Sequence, residues 1–296
     1  MRLFGPILAF GSLLLRLFTC GMTLVICAPA NAQSPIQLPE VNPDTLSTLH
    51  FPEVSIPTSA YGPGERLEYT FRYGFVHAAE AQIELKAAGR GPNGPQWLID
   101  ARGRSTGTFS WFFKVDDRYR TTIDAATGYP LHFIRDVQEG GYTVDQDYRF
   151  DWSNQSVRTL TSKRGNPVKK HVFQLPGPAY DMISSIFALR NLDFDNLQAG
   201  DTARVPLFMD EEWLELEVVY SGKVEQKVNG EKWPCLLFHP VIQTGRIWRN
   251  PDDLSVYISD DANHIPLLAQ SNILFGTIQM ELTHASGLRN PSSRRD

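Results

Sequence analysis

Arg66-Leu67-Glu68-Tyr69-Thr70-Phe71-Arg72-Tyr73-Gly74-Phe75 places Leu67, Tyr69, Phe71, Tyr73 and Phe75 on one side of an extended chain, and Arg66, Glu68, Thr70 and Arg72 on the other. The period is two, so this is a strand with one apolar and one wet face. The next segment repeats the device, with Ala81, Ile83, Leu85 and Ala87 against Gln82, Glu84 and Lys86. It returns at Tyr148, Phe150 and Trp152, at Leu214, Leu216 and Val218, and at Ile278, Met280 and Leu282. Strands wet on one face belong to antiparallel sheets, because parallel strands covered on both faces read as continuous apolar runs.

Turn chemistry separates these runs at hairpin spacing. Gly89 to Gly94, Asp124 to Gly128, Glu139 to Gly141, Gly165 to Pro167, Asn229 to Gly230 and Asp260 to His264 each lie between strand-like segments. Ordinary strand lengths then give roughly 11 to 14 strands. One segment has helical period: after Pro178, Met182, Ile183, Ile186, Phe187 and Leu189 share a broad face, with Asp181 near the amino end and Arg190 near the carboxyl end. The expected fold is mainly β: a large curved antiparallel sheet or half-open barrel, with one central helix over about 180–192 packed on the concave face. Ile123 to Leu131 and Ile258 to Leu267 share one grammar, a strand end, an acidic turn and then Pro-Leu, a faint echo of duplication around the helix.

Both ends read differently from this body. Residues 1–32 carry Arg2, an apolar stretch, and Ala30 and Ala32 at the small-residue spacing of a leader-peptidase site, so cleavage is expected after Ala32. The stretch is also long enough to span a bilayer. Arg16 at its middle, costing about 2.5–3.5 kcal/mol there, favours the leader reading. Thr19 and Ile26 precede Cys20 and Cys27 where lipidation prefers a small residue. Residues 33–63, punctuated by Pro35, Pro39, Pro43, Pro52, Pro57 and Pro63, form an extended lead-in. A single β-rich domain is expected over 64–287 and a disordered tail over 288–296.

Cleavage would take two of the 28 Lys and Arg and none of the 33 Asp and Glu, moving the formal charge from −5 to −7. That excludes nucleic acid as the expected partner. Only Cys235 then remains of the three cysteines, so no internal disulfide forms. Its neighbours Trp233, Pro234, Leu236, Leu237 and Phe238 are apolar, which makes it a packed, inert thiol rather than a nucleophile.

The search for chemistry returns little. Gly89-Arg90-Gly91-Pro92-Asn93-Gly94 has the spacing of a dinucleotide-binding turn, but a strand and not a helix follows it, so it is a hairpin loop. The histidines, His50, His77, His132, His171, His239, His264 and His284, show no metal-binding spacing. Asp193 and Asp195 lack the rest of a calcium loop, Asp210-Glu211-Glu212 reads as a turn, and Ser184 and Ser185 lie inside the helix. No catalytic residue, metal or cofactor is assigned. The basic run Lys163, Arg164, Lys169, Lys170 and His171 flanks one hairpin and reads as a solvated turn rather than an anionic-lipid patch, because the chain around it is acidic. The strongest functional signal is Phe109-Ser110-Trp111-Phe112-Phe113, which is either core or the rim of a ligand cavity inside the curved sheet. Phe109, Trp111, Phe112 and Phe113, with Ile186 and Phe187 from the helix, are the candidate ligand-binding residues.

Gly64-Glu65-Arg66-Leu67-Glu68-Tyr69, Phe113-Lys114-Val115-Asp116-Asp117, Ile123-Asp124 with Pro130, Tyr180-Asp181 with Phe187 to Arg190, Ala199-Gly200-Asp201, and Ile258-Ser259-Asp260-Asp261 with Ile265-Pro266-Leu267 occur in an order that resembles the Domain of Unknown Function 3108 family of bacterial exported proteins. The resemblance runs from about Tyr61 to Leu282 and implies a Gram-negative envelope protein with no catalytic residues to carry over. The organisation is also similar to the half-open barrels of LolA- and LolB-type lipoprotein carriers, which hold acyl chains against a curved sheet, although those have several helices where this chain has one. The leading expectation is a periplasmic protein that binds a lipid or other apolar or acylated molecule. Two alternatives stand beside it: an envelope assembly protein docking a partner through sheet edges or the Pro-rich segment, and a hydrolase with a fold-assembled site.

Overall fold

The computed structural model describes residues 60–107, 109–194, 197–242, 254–273 and 276–294. The expected leader over 1–32 and nearly all of the lead-in lie outside the described residues. Fourteen strands form one antiparallel sheet: β1 (Arg66–Tyr73), β2 (Val76–Gly91), β3 (Gly94–Ser105), β4 (Asp116–Asp124), β5 (Pro130–Glu139), β6 (Tyr142–Asp151), β7 (Ser156–Lys163), β8 (Lys169–Gln174), β9 (Thr202–Met209), β10 (Glu212–Val228), β11 (Glu231–Ile242), β12 (Leu254–Ser259), β13 (Pro266–Ile273) and β14 (Gly276–Ser286). Two short helices accompany them, α1 (Phe109–Phe112) between β3 and β4, and α2 (Met182–Leu189) between β8 and β9. The order across the sheet is β8-β7-β6-β5-β4-β3-β2-β1-β14-β13-β12-β11-β10-β9, so β8 and β9 are edges and the ladder does not close.

The alternation read from the sequence is the inner wall. Leu67, Tyr69 and Phe71 of β1, Tyr148 and Phe150 of β6, Leu216 and Val218 of β10, and Ile278 and Leu282 of β14 are all buried. Each hairpin turn expected from the sequence joins consecutive strands. The two echoing turns, β4–β5 and β12–β13, are built alike, with Asp124 accepting the N–H groups of Ala126 and Thr127, and Asp261 accepting that of Asn263.

Open edges would leave the barrel gaping, and side chains close it instead. The β9–β10 turn folds across the inner face of β5 to β8, where Asp210 accepts from Arg135 at 3.1 Å and from Gln146 at 3.1 Å, and Glu211 accepts from the Thr159 and Thr161 hydroxyls. Asp210 and Glu211 adopt positive φ of 52° and 68°, a strained turn that aims both carboxylates inward. Phe208 packs beside Tyr148, Phe150 and Phe173, so the last edge tucks inside the first.

Three boundaries differ from expectation. α2 stops at Leu189 because Arg190 serves as C-cap, and the chain then tightens through Asn191 N–H to Ala188 O and Leu192 N–H to Leu189 O. The domain begins before residue 64, since Ala60 and Tyr61 are buried and the Tyr61 ring meets Phe187 edge-on at 4.9 Å. The tail expected to be disordered is tied down as far as it is described: Asn263 donates to Asn290 O and Pro291 O, and Asp261 accepts from Ser293 N–H. Polar composition hid this, because its partners are turn groups and not core.

The connections divide by end. The connections β1–β2, β3–β4 with α1, β5–β6, β7–β8, β9–β10, β11–β12 and β13–β14 leave the sheet at one end, called here the α1 end, and β2–β3, β4–β5, β6–β7, β10–β11 and β12–β13 at the other.

Candidate functional site

α2 is positioned by its caps. Asp181 is the N-cap, accepting from Ile183 N–H at 2.8 Å, Ser184 N–H at 3.0 Å and the Thr121 hydroxyl of β4 at 2.9 Å, while its own N–H donates to Ser184 Oγ. Burial pushes the Asp181 carboxyl up, and these donors hold it down. At the other end Arg190 makes a two-pronged ion pair with Glu65 at 2.6 and 2.8 Å, donates to Asn263 O and Ala60 O, and lies over the rings of Tyr61 and Phe187. Arg190 and Glu65 are 1% and 2% exposed, so the pair is fully withdrawn from water.

Met182, Ile183, Ser184, Ser185, Phe187 and Ala188 of α2 are buried, but Ile186 and Leu189, one turn apart, are only half-buried. They face a cavity of about 150 Å³ between the helix and the sheet, lined almost wholly by apolar surface. Small inward residues leave this space open: Ala81 sits opposite Gly103, and Ile83 opposite Ala101. A Cβ placed on Gly103 would meet nothing within 4 Å. Phe71, Val218, Phe238, Val256 and Met280 line other parts of the wall. The cavity therefore extends from α2 toward the α1 end, and an apolar void of about this size stays dry and takes up a benzene-sized guest.

Its polar feature lies on β4. Asp117 and Tyr119 line the cavity, and Asp117 has Glu139 of β5 as a buried neighbour. Burial, the Glu139 charge and the hydrogen bond with Glu139 push Asp117 up to about 8, with Gln138 N–H and Arg135 pulling the other way. The Asp117 carboxyl therefore keeps its proton through the ordinary carboxylate range.

The structure disperses the candidate ligand-binding residues. Ile186 lines the cavity; Phe187 is packed against Tyr61 and Arg190. The aromatic run is not brought to the wall. It forms α1, where Phe109 rests on Ala78, Ile278 and Tyr73 at the rim, Phe113 lies against Gly140, and Trp111 and Phe112 are 88% and 76% exposed. Aromatic content signals apolarity without saying which way a residue faces. The signal for the true lining was the small residues at inward positions of β2 and β3.

Elsewhere the chemistry is structural. A larger recess of about 730 Å³ on the outer face of β1 to β4 is a ladder of mutually paired charges, including Arg118 with Asp100 at 2.9 Å and Arg102 with Asp116 at 3.3 Å. Cys235 is buried, and burial pushes its thiol up to about 12. Among the described residues no group of three or more His, Cys, Asp or Glu is placed to hold a metal ion, and no helix is long and apolar enough to cross a membrane.

The family described as a protein of unknown function, DUF3108, matches residues 68–283. Among solved structures, a beta-barrel-like protein of domain of unknown function DUF1849 from Brucella abortus superposes with a TM-score of 0.48 and 11% identity, covering 76% of this chain and 98% of that one. A protein with a YmcC-like fold from Bacteroides fragilis superposes with a TM-score of 0.33 and 8% identity, covering 77% of this chain and 100% of the other. No curated protein matches the sequence.

Proposed function

The chain belongs to the DUF3108 family, and from that premise we propose that it is an exported envelope protein that holds an apolar or acylated molecule between α2 and the sheet. The observation that carries this reading is the cavity itself, together with the two helix side chains, Ile186 and Leu189, left half-buried against it. A core built only for stability would fill such a space, because each unfilled region forfeits dispersion contacts. The leader-like residues 1–32 support export, and the periplasm is the compartment in which a leaderless domain of this kind would work.

The alternative of a partner strand adding to an open edge has less support. Edge strand β8 is protected by exposed Lys169 and Lys170.

Mass spectrometry of the purified, exported chain under native conditions tests the proposal. An apolar ligand is expected to co-purify, or a short-chain fatty acid to be taken up. Gly103→Leu, which projects a side chain into the cavity, should abolish uptake and leave the circular dichroism spectrum intact. Absence of uptake by the parent chain, or equal uptake by the folded G103L variant, would overturn the reading.

A further inference from the structure

We propose that the α1 end is a docking surface for an anionic lipid bilayer. Five of the six large apolar side chains exposed among the described residues lie there: Phe75 and Val76 at the β1–β2 turn, Trp111 and Phe112 on α1, and Val168 between β7 and β8. Phe75 is fully exposed. The β1–β2 and α1 tips are neighbours in space, since Thr106 N–H donates to Ala78 O at 3.0 Å and Phe109 packs on Ala78 and Tyr73. Exposed aromatic patches mark interaction sites, and Trp in particular suits the boundary between headgroups and acyl chains.

Charge selects the partner. Among the described residues, the stretches 72–78, 106–115, 140–143 and 163–170 at this end contain Arg72, Lys114, Lys163, Arg164, Lys169 and Lys170 and no Asp or Glu. All six except Lys163 are exposed. The β9–β10 turn supplies acids at this end, of which Asp210 and Glu211 are folded inward, held by Arg135 and by Thr159 and Thr161, leaving Glu212 as the one exposed acid of that turn against five exposed cations. A run of contacts joins the basic hairpin to the aromatics: Arg164 lies over the Tyr142 ring at 5.4 Å, Gly140 N–H donates to Lys114 O, and Phe113 rests on Gly140. The chain as a whole carries −5, so this face is basic against the average. Aromatic tips flanked by Lys and Arg match an anionic lipid surface in both chemistry and charge. The surface stands on these exposed groups alone and does not require the cavity to be filled. Because the cavity extends toward the same end, docking would set its apolar wall against the bilayer.

Co-flotation of the exported chain, freed of its leader, with vesicles tests this. Vesicles of phosphatidylcholine and phosphatidylglycerol in equal parts should carry the protein upward, and phosphatidylcholine alone should carry much less. Trp111→Ala with Phe112→Ala should cut binding at least roughly tenfold, and Lys169→Gln with Lys170→Gln roughly fivefold for each charge removed. Val172→Ser, at a similarly exposed apolar residue within β8, should float like the parent. Failure of the parent to float, variants that float equally well, or V172S losing as much as W111A/F112A would each overturn the proposal. Ligand uptake measured on the same variants separates this outcome from failure of the cavity reading, since none of these side chains lines the cavity.

Discussion

Two buried acid sites near opposite ends of the barrel are built on opposite principles. Beyond α2, Glu65 meets Arg190 in a matched pair whose remaining donors reach Ala60 O and Asn263 O, so every charge withdrawn from water is answered. Toward the α1 end Asp117 meets Glu139, a buried pair of acids in which burial and the neighbouring carboxyl push Asp117 up. The first joins the start of the fold, the helix and the β12–β13 turn, while the second links only the neighbouring strands β4 and β5; Arg190 and Asp117 both border the unfilled space between them. One end is organised for persistence, and the other accepts cost where the proposed ligand and bilayer sites lie.

The sharpest way to break this contrast is to remove one half of the matched pair. Arg190→Ala should cost about 3–5 kcal/mol in urea unfolding, because it strands a buried carboxylate. Arg190→Met with Glu65→Leu should recover much of that loss. A cost for R190A no larger than that of a surface substitution would dissolve the distinction.

The pair of acids should appear as a pH dependence of opposite origin. The Asp117 carboxyl is raised in the folded protein, so the folded state binds more protons than the unfolded one between the ordinary carboxylate value of 3.8 and about 8. The stability associated with it is fully present below that window and is lost progressively as pH rises through it. Asp117→Asn should flatten this part of the stability profile measured from pH 4 to 9, and an unchanged slope would count against the raised Asp117 carboxyl.

Smaller effects sharpen the picture. Gly103→Leu should alter stability by less than about 1.5 kcal/mol while eliminating uptake, since the added side chain enters open space. Trp111→Ala with Phe112→Ala should shift unfolding by under about 0.5 kcal/mol, as both side chains already face water. Cys235 offers an internal reporter: its thiol, held up near 12, should resist a water-soluble thiol reagent at pH 8 in the parent and react faster in R190A, but not in W111A/F112A.

The strands and turns were legible because burial alternates within a few residues, so Leu67, Tyr69 and Phe71 declare their common wall locally. The cavity was legible only as one of two options, with Ile186 among its candidates, and its lining was not, because Ala81 and Gly103 become opposed only through strand pairing. Charged residues default to solvent in any reading of sequence, which concealed Glu65 and Arg190 until the fold joined them across 125 positions. The basic hairpin was discounted because net charge is an average, whereas the antiparallel topology assigns whole turns to one end or the other.

The tucked edge at β9 has a consequence of its own. A barrel closed by backbone pairing has a girth dictated by strand number and stagger. Here the overlap is held by the Asp210 and Glu211 side chains, by Phe208 among the aromatic rings of β6 and β8, and by one backbone bridge to Tyr180, so side-chain contacts and not a continuous ladder set the circumference at this seam.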